Sequence, residues 1–174
     1  RVRIAIVVGN PAPASRTRAL AEAVGEAVAA IVGGAEPQVV DLSAHLGTAF
    51  DPADPALTAL THDVAASDFV VVASPTYKAA YTGLLKAFLD RYDTLGLAGV
   101  VAIPVMTGGS PAHSLAPDVT LRPLLVEVGA SVPTRSLYFV TSQLPEMAAR
   151  VAAWADANRT ALLGAALARR QTSG

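Results

Sequence analysis

The segment from Gly9 to Arg18 combines residue types that can hold a phosphate group. It follows a short apolar run and precedes a helical pattern, so the free backbone N–H groups of a helix start lie within it. Ser15 and Thr17 add hydroxyls, and Arg16 adds a guanidinium. The segment has neither a Walker nor a GxGxxG pattern, and no dinucleotide determinant is evident, which favours a mononucleotide. The alternative is an ordinary helix start that Ser15 or Thr17 caps.

A second segment, from Ser74 to Gly83, could bind the edge of a flat heteroaromatic ring. Pro75 has a restricted φ and lacks an N–H group, whereas Thr76, Tyr77 and Lys78 keep theirs. A turn with these residues could present backbone donors to the ring, and either tyrosine of the segment could stack on it. The alternative is a loop whose tyrosines pack at a subunit contact and whose lysine is solvated.

A third segment, Thr107-Gly108-Gly109, follows another apolar run. Paired glycines permit close approach of the backbone to a ligand, and the threonine hydroxyl can donate a hydrogen bond. His113 comes shortly after, where a helix should begin. A single histidine at this place is expected to position a neighbour or cap the helix rather than to donate a proton.

Apolar, β-branched runs alternate with segments of helical periodicity along the chain. Strands that are apolar throughout and separated by helices predict an α/β fold, with a parallel sheet covered on both faces in the doubly wound order 2-1-3-4-5. In that order the loops after strands one, three and four meet at one edge, so the three segments should form one site. Strands are predicted at 4–8, 38–42, 69–73, 100–106 and 134–140, and helices at 17–32, 56–66, 84–92, 115–128 and 144–168.

Three expectations concern the organisation of the chain. Residues 1–174 should form one domain, because no linker, repeat or low-complexity stretch interrupts them. Pro123 should kink or divide the helix at 115–128, since proline cannot donate to the helical ladder. The tail from Arg169 to Gly174 should fray.

The composition narrows the classes of function. The absence of cysteine excludes disulfides, thiolate metal sites and cysteine nucleophiles, and it fits a cytoplasmic location. A net charge of −1 argues against binding to nucleic acid or an anionic membrane. The longest apolar run is too short to span a bilayer, and the chain opens directly into a strand-like run, so neither a membrane segment nor a signal peptide is expected. No GxSxG elbow indicates a hydrolase.

Charge is also scarce for a domain of this size. Only 16% of the residues are charged and 52% are hydrophobic, which predicts that a second copy of the chain covers part of the apolar surface. The helix at 84–92 and its neighbour near Leu115 are the expected contacts.

The second segment and the helix after it, SPTYKAAYTGLLKAFLD, resemble the isoalloxazine loop of NAD(P)H-dependent FMN reductases. Thr107-Gly108-Gly109 with His113 is similar to the second flavin loop of that family. Gly9-Asn10-Pro11 with Ser15-Arg16-Thr17 is similar to its phosphate loop. The resemblance extends through the fifth predicted strand, and it is greatest to the reductases that supply reduced FMN to sulfonate and other two-component monooxygenases.

That resemblance implies a flavodoxin-like fold, FMN as the flavin, NADH or NADPH as the hydride donor, and a homodimer or homotetramer. It implies hydride transfer from the nicotinamide to FMN, with reduced flavin passed to a partner monooxygenase. The residues it assigns to the flavin are Ser15, Arg16 and Thr17 at the phosphate, Pro75, Thr76, Tyr77 and Lys78 around the ring, and Thr107, Gly108 and Gly109 on its other side, with Gly9, Asn10 and His113 completing the set.

Two positions depart from the family pattern. Asn10 stands where a serine is usual, which loses a hydroxyl but adds an amide donor. Val119 stands where the sulfonate branch often has an aromatic residue or a histidine. FMN could therefore be a released product or a retained cofactor, and the second case would make the chain a quinone, azo-dye or chromate reductase. A flavodoxin-like electron carrier and a flavin-free binding domain are the alternatives from other classes, although carriers usually need an acidic docking face.

Overall fold

The structure, a computed structural model, describes residues 1–172. Five parallel strands form one sheet in the order β2-β1-β3-β4-β5, which confirms the predicted flavodoxin-like arrangement. The predicted α/β class is likewise confirmed, because helices cover both faces of this sheet. The strands are β1 (Ile4–Val8), β2 (Gln38–Asp41), β3 (Phe69–Pro75), β4 (Val101–Gly108) and β5 (Leu137–Val140).

Helices α1 and α5 pack on one face of the sheet, and α2, α3 and α4 pack on the other. Short helices also occur in the segments that connect these elements. The sequence pattern did not predict the short helices that follow β2 and β5. The α-helices are α1 (Arg16–Val32), α2 (Pro55–Ala65), α3 (Gly83–Leu89), α4 (Arg122–Glu127) and α5 (Met147–Thr172). The shorter ones are three 3₁₀ helices (Leu42–Thr48, Pro111–His113 and Thr141–Glu146) and one π-helix (Pro117–Leu121).

Alternate residues of the central strands divide between two apolar cores. Ile4, Ile6 and Val8 of β1 pack with α1 and α5, whereas Ala5 and Val7 pack with the helices of the opposite face. Successive side chains of a strand point to opposite faces, so a strand covered on both sides must be apolar throughout. This explains why the five residues of β1 are all buried.

Pro104 lies inside β4, although proline is usually confined to edge strands. The N–H of Val101 donates to Asp68 next to β3, and the N–H of Ala102 donates to Ser131 on the opposite side. Because these directions alternate along a strand, the nitrogen of Pro104 faces the β5 side, where pairing begins only at Val105. The proline therefore removes no bond from either ladder.

The predicted helix at 115–128 is divided, as Pro123 indicated. The π-helix gives way to α4 at Arg122, whose N–H donates to the carbonyl of Pro117, five residues back. Pro123 cannot donate to the ladder, so the usual four-residue spacing is interrupted where the π-helix ends and α4 begins.

The limits of other elements differ from the predicted ones by a few residues. The strand expected at 134–140 begins only at Leu137, because the N–H of Arg135 donates to Asn158 and its carbonyl accepts from Trp154. This stretch is therefore bound by α5 rather than by the sheet. The helix expected at 84–92 ends at Leu89. Across the described residues, no helix is both long and apolar enough to cross a bilayer.

The prediction of a frayed tail is wrong for residues 169–172, which continue α5. Arg169 lies against the start of β3, where its Nε is 2.8 Å from an Asp68 carboxylate oxygen. The rest of the predicted tail, Ser173 and Gly174, lies outside the described residues.

Candidate functional site

The three segments selected from the sequence meet at the carboxyl edge of the sheet and bond to one another. The Thr82 hydroxyl, from the start of α3, donates to the carbonyl of Gly9 after β1, with the two oxygens 2.6 Å apart. The N–H of Thr76 donates to the carbonyl of Thr107 at the end of β4, at 2.8 Å. The hydroxyls of Thr17 and Thr107 are 2.8 Å apart, which ties α1 to β4. The loops after β1, β3 and β4 are therefore one connected structure.

Helix α1 begins with donors that can face an anion. Ser15 caps the helix, and its hydroxyl oxygen accepts from the N–H of Arg18 at 3.0 Å. The N–H groups of Arg16 and Thr17, in the first turn, donate to no acceptor within the described residues. The exposed guanidinium of Arg16 likewise has no acidic or hydrogen-bonding partner there. Together with the positive end of the helix dipole, these groups could bind an anion.

The side chain of Asn10 forms its hydrogen bonds within the protein and so stabilises the first loop. Its Nδ2 donates to the Thr17 hydroxyl at 3.0 Å, and its Oδ1 accepts from the N–H of Ala12 at 2.9 Å. The Thr17 side chain is only 1% exposed and also contacts Thr107. The hydroxyl of Thr17 is thus used inside the protein, and its backbone N–H is what remains for a ligand.

Arg18 lies beside Arg16 in the sequence but is held by the protein. Its Nε donates to Glu22 at 3.0 Å and its Nη1 to Asp41 at 3.1 Å. The hydrogen bonds to these two carboxylates raise the pKa of the Arg18 guanidinium above its ordinary value. The four-residue spacing from Arg18 to Glu22 is the sequence signal for the first of these pairs.

Gly9 permits close packing beneath the first loop. A Cβ at this position would lie 2.6 Å from the Cβ of Leu85, so any side chain would displace α3. The N–H of Gly9 donates to the Ala73 carbonyl at 2.8 Å, and its own carbonyl accepts from Thr82. Gly9 therefore sets the position of the loop and uses its polar groups within the protein.

The second segment forms a tight two-residue turn. Tyr77 and Ala80 exchange both backbone hydrogen bonds, at 2.9 and 3.2 Å. The two residues between them, Lys78 and Ala79, have φ of 51° and 66°. Positive φ at both central positions is the pattern of a type I′ turn, and it is strained for residues other than glycine or asparagine. Strained backbone of this kind clusters at ligand sites.

This turn corrects one expectation about donors. Thr76 and Tyr77 were expected to present free N–H groups, but the first donates to Thr107 and the second to Ala80. Pairing with the end of β4 uses the first N–H and the turn uses the second, whereas Lys78 keeps an N–H with no acceptor within the described residues. The Tyr77 side chain is 51% exposed and can still cover a ring. Tyr81, by contrast, packs against the core on the α2–α4 face.

The two glycines of the third segment differ in their surroundings: Gly109 faces free space, whereas Gly108 packs against a tyrosine. A Cβ on Gly109 would meet no protein atom within 4 Å, so this backbone faces free space. The hydroxyl of Tyr138, from β5, lies against Gly108 and donates to the Ser110 carbonyl at 2.6 Å. Tyr138 fixes this loop, and nothing in its spacing along the sequence indicated that role. His113 is exposed and ends the short 3₁₀ helix.

Where the three loops meet, the described residues provide neither a metal site nor a carboxylate that could act as an acid or a base. No group of three or more histidine, aspartate or glutamate side chains there is arranged to hold a metal ion. Besides hydroxyls and backbone amides, the three loops bring together the guanidiniums of Arg16 and Arg18, the Lys78 amine, the His113 imidazole and the exposed ring of Tyr77, but no carboxylate. This set can bind an anion and a flat ring, and it leaves the chemistry to whatever is bound.

Comparison with known proteins identifies relatives of this chain by sequence and by structure. A sequence model of the family described as NADPH-dependent FMN reductase matches residues 2–144. An FMN reductase (NADPH) from Escherichia coli K12 is 40% identical over 90 residues, which make up 52% of this chain and 47% of that protein. The matched part thus spans about half of the length of that relative.

Two longer matches cover most of this chain and most of the relative to which it is compared. The NADH-dependent FMN reductase SfnF of Pseudomonas putida is 32% identical over 142 residues, or 79% of this chain and 76% of that protein. The apo crystal structure of an NADH:FMN oxidoreductase, EMOB, superimposes with a TM-score of 0.81 at 32% identity, covering 92% of this chain and 90% of the other. From the shared fold, the loops and these matches, the chain belongs to the NADPH-dependent FMN reductase family.

Proposed function

We propose that this chain, as a single domain, binds FMN at the carboxyl edge of the sheet and catalyses its reduction by NADH or NADPH. The observation that carries the proposal is the joining of the three loops into one site by the Thr82–Gly9, Thr76–Thr107 and Thr17–Thr107 hydrogen bonds. At one end of this site, the start of α1 has hydrogen-bond donors without acceptors in the described residues. At the other end lie the strained turn at Lys78 and Ala79 and the free space beside Gly109.

The residues present fit the two ends of FMN. The phosphate suits the start of α1, where the N–H groups of Arg16 and Thr17 and the Arg16 guanidinium are without protein partners in the described part of the chain. The ring suits the space over Gly109, which a side chain would fill. The exposed ring of Tyr77 and the N–H of Lys78 border the same edge.

Bound FMN supplies the redox chemistry, because its ring accepts a hydride from the nicotinamide. The contribution of this chain is binding, orientation and electrostatics. Backbone N–H groups near the ring, such as those of Lys78 and Gly109, favour the more electron-rich reduced flavin by offsetting its charge. The exposed ring of Tyr77 would cover one side of the bound flavin and exclude water from it. Arg16 and the dipole of α1 hold the phosphate in place.

We also propose that the chain works in the cytoplasm as a homodimer or homotetramer and delivers reduced FMN to a flavin-dependent monooxygenase. Delivery of reduced FMN is proposed because the flavin loops resemble those of reductases that supply reduced FMN to two-component monooxygenases. Self-association is supported by apolar side chains exposed on α4 and on the residues before it: Leu115, Val119 and Val126 are 67%, 64% and 56% exposed. Burying such side chains would compensate for the small number of surface charges.

The direct test is to follow NADH and NADPH oxidation by the purified protein with and without added FMN while its visible spectrum is recorded. We expect oxidation that rises and saturates with added FMN, and a sequential kinetic pattern. A yellow protein that ignores added FMN and shows ping-pong kinetics with a quinone, azo dye or chromate would instead make FMN a fixed cofactor. A protein that stays colourless and leaves both nicotinamides unoxidised would refute the proposal.

A further inference from the structure

A cleft of about 870 Å³ lies beside the third loop. Its walls come from that loop, the end of β5, and the residues before α4 and in the first turn of α5. The start of α1 and the Tyr77 turn do not line it. It is thus a neighbour of the proposed flavin site: Gly109 borders both, and Ser110 and Tyr138, which adjoin the third loop, line the cleft. The polar groups that line it include Ser110, Arg122, Arg135, Ser142, Gln143 and Arg150.

The charge in this cleft is positive and only partly neutralised. Arg122 is bonded to Asp118 at 3.0 Å and donates to the carbonyls of Val132 and Thr134, so its charge is held by the protein. Arg135 and Arg150 have exposed side chains that form no ion pair within the described residues. Two uncompensated guanidinium groups therefore face a cleft on a protein whose net charge is −1.

We infer that Arg135 and Arg150 bind the phosphate groups in the adenosine half of the nicotinamide dinucleotide. The inference rests on the proposed function, since a nicotinamide placed over the flavin must project its other half away from the ring. Gly109 borders both places, so the cleft is adjacent to where that half would extend. Guanidinium groups match phosphate oxygens in shape and charge, and the volume is in the range of nucleotide-sized sites.

The kinetic test compares the wild type with Arg135→Gln, Arg150→Gln and the double variant, using NADPH and NADH as donors. Loss of one charged hydrogen bond to phosphate should raise KM for the donor about tenfold, while KM for FMN stays unchanged. A rise for both donors assigns the arginines to the shared pyrophosphate. A larger rise for NADPH assigns one of them to the 2′-phosphate.

Arg159→Gln is the matched control. Arg159 is an exposed arginine of α5 whose Nε lies 3.7 Å from Asp156, and it does not line the cleft. We expect its donor KM to equal that of the wild type. Unchanged donor KM in the double variant would overturn the inference. A rise in KM for FMN alone would also overturn it, because the cleft would then serve the flavin.

A binding measurement separates this inference from the proposed function. 2′-Phospho-ADP-ribose carries the phosphates but no nicotinamide, so its affinity can be measured by calorimetry without turnover. We expect at least tenfold weaker binding to the double variant than to the wild type or Arg159→Gln. If the wild type fails to oxidise either donor but binds this probe through the two arginines, only the proposed reaction fails. Equal probe binding by all variants would refute the cleft assignment alone.

Discussion

The hydroxyl oxygens of Thr17 and Thr107 lie 2.8 Å apart, although 90 positions separate the two residues in the chain. Their side chains are 1% and 2% exposed, so water cannot replace either partner. Asn10 donates to the same Thr17 oxygen and extends this contact into the first loop. The carbonyl of Thr107 accepts from Thr76 and so joins the second loop as well. Together with the Thr82–Gly9 bond, this pair holds the three loops in a common position.

Replacing either threonine by valine should destabilise the protein through the partner left unpaired. We expect Thr17→Val and Thr107→Val each to lower the free energy of unfolding by about 1–2 kcal/mol, since a buried hydroxyl loses its bond. The double variant should lose less than the sum of the two, by roughly 1 kcal/mol. Urea unfolding measures this coupling. Thr58→Val, on α2, combined with Thr17→Val should give additive losses, and additivity within the Thr17–Thr107 pair would contradict the link.

Arg16 should discriminate FMN from riboflavin, which lacks the phosphate. We expect Arg16→Ala to weaken FMN binding about tenfold and to leave riboflavin binding unchanged, because one charged contact to phosphate is lost. Flavin fluorescence titration gives both affinities. The control is Arg18→Ala, which breaks the pairs with Glu22 and Asp41 and should cost about 0.5–1 kcal/mol of stability. Equal weakening of both flavins by Arg16→Ala would remove the phosphate assignment.

Gly109 should matter for binding and not for folding. A valine there meets no protein atom near its Cβ, so the free energy of unfolding should change by less than about 0.5 kcal/mol. The same side chain would occupy the space assigned to the flavin ring, and we expect FMN affinity to fall at least tenfold. Gly164→Val, in an equally open position on α5, is the control and should keep full affinity. Unchanged affinity in Gly109→Val would place the ring elsewhere.

Asp68 should make stability depend on pH in the acid range. Partial burial raises the pKa of this carboxyl, but hydrogen bonds from the Arg3 N–H and from Arg169 outweigh it and lower the pKa below the ordinary 3.8. A lowered pKa in the folded state stabilises the protein above the ordinary value and loses that effect as pH falls through the folded value.

We therefore expect Asp68→Asn to cost about 1–2 kcal/mol at neutral pH, and the difference from the wild type to shrink below pH 3.8. Urea unfolding at several pH values measures it. Asp156→Asn is the control, because Asp156 is 83% exposed and should change stability little. A difference between wild type and Asp68→Asn that stays constant down to the lowest pH would contradict the role given to the carboxylate.

Much of the fold could be predicted because it depends on simple patterns. β1 and the first five residues of β3 are buried on both faces and apolar throughout, so the positions of these strands follow directly. The strand order follows from alternation with helices, and it brings the three loops to one edge. Pro123 marks the division of the helix near Arg122 because a missing N–H interrupts the ladder wherever it occurs.

The details of the site depend on contacts between distant residues, which have no local signature. Positive φ at Lys78 and Ala79 arises although neither residue favours it, because the Tyr77–Ala80 pairing imposes it. The burial of the Thr17 hydroxyl requires a partner on β4. Tyr138 supports the third loop from a strand whose pattern indicates only packing. The residue types in the three loops predicted where a ligand could bind. They did not indicate which hydrogen-bond donors of those loops are already bonded to other groups of the protein.

The hydrogen bonds among the loops also bear on how the site moves. The N–H of Gly9 donates to β3, that of Thr76 to the end of β4, and that of Thr82 to the buried Ser74 hydroxyl. The bonds of Gly9 and Thr76 join neighbouring strands, so they cannot open without separating the edge of the sheet. Their amide protons should therefore exchange with deuterium as slowly as those of β3, through the same cooperative opening. Binding would then add little order to these positions, so little conformational entropy would be lost when the ligand arrives.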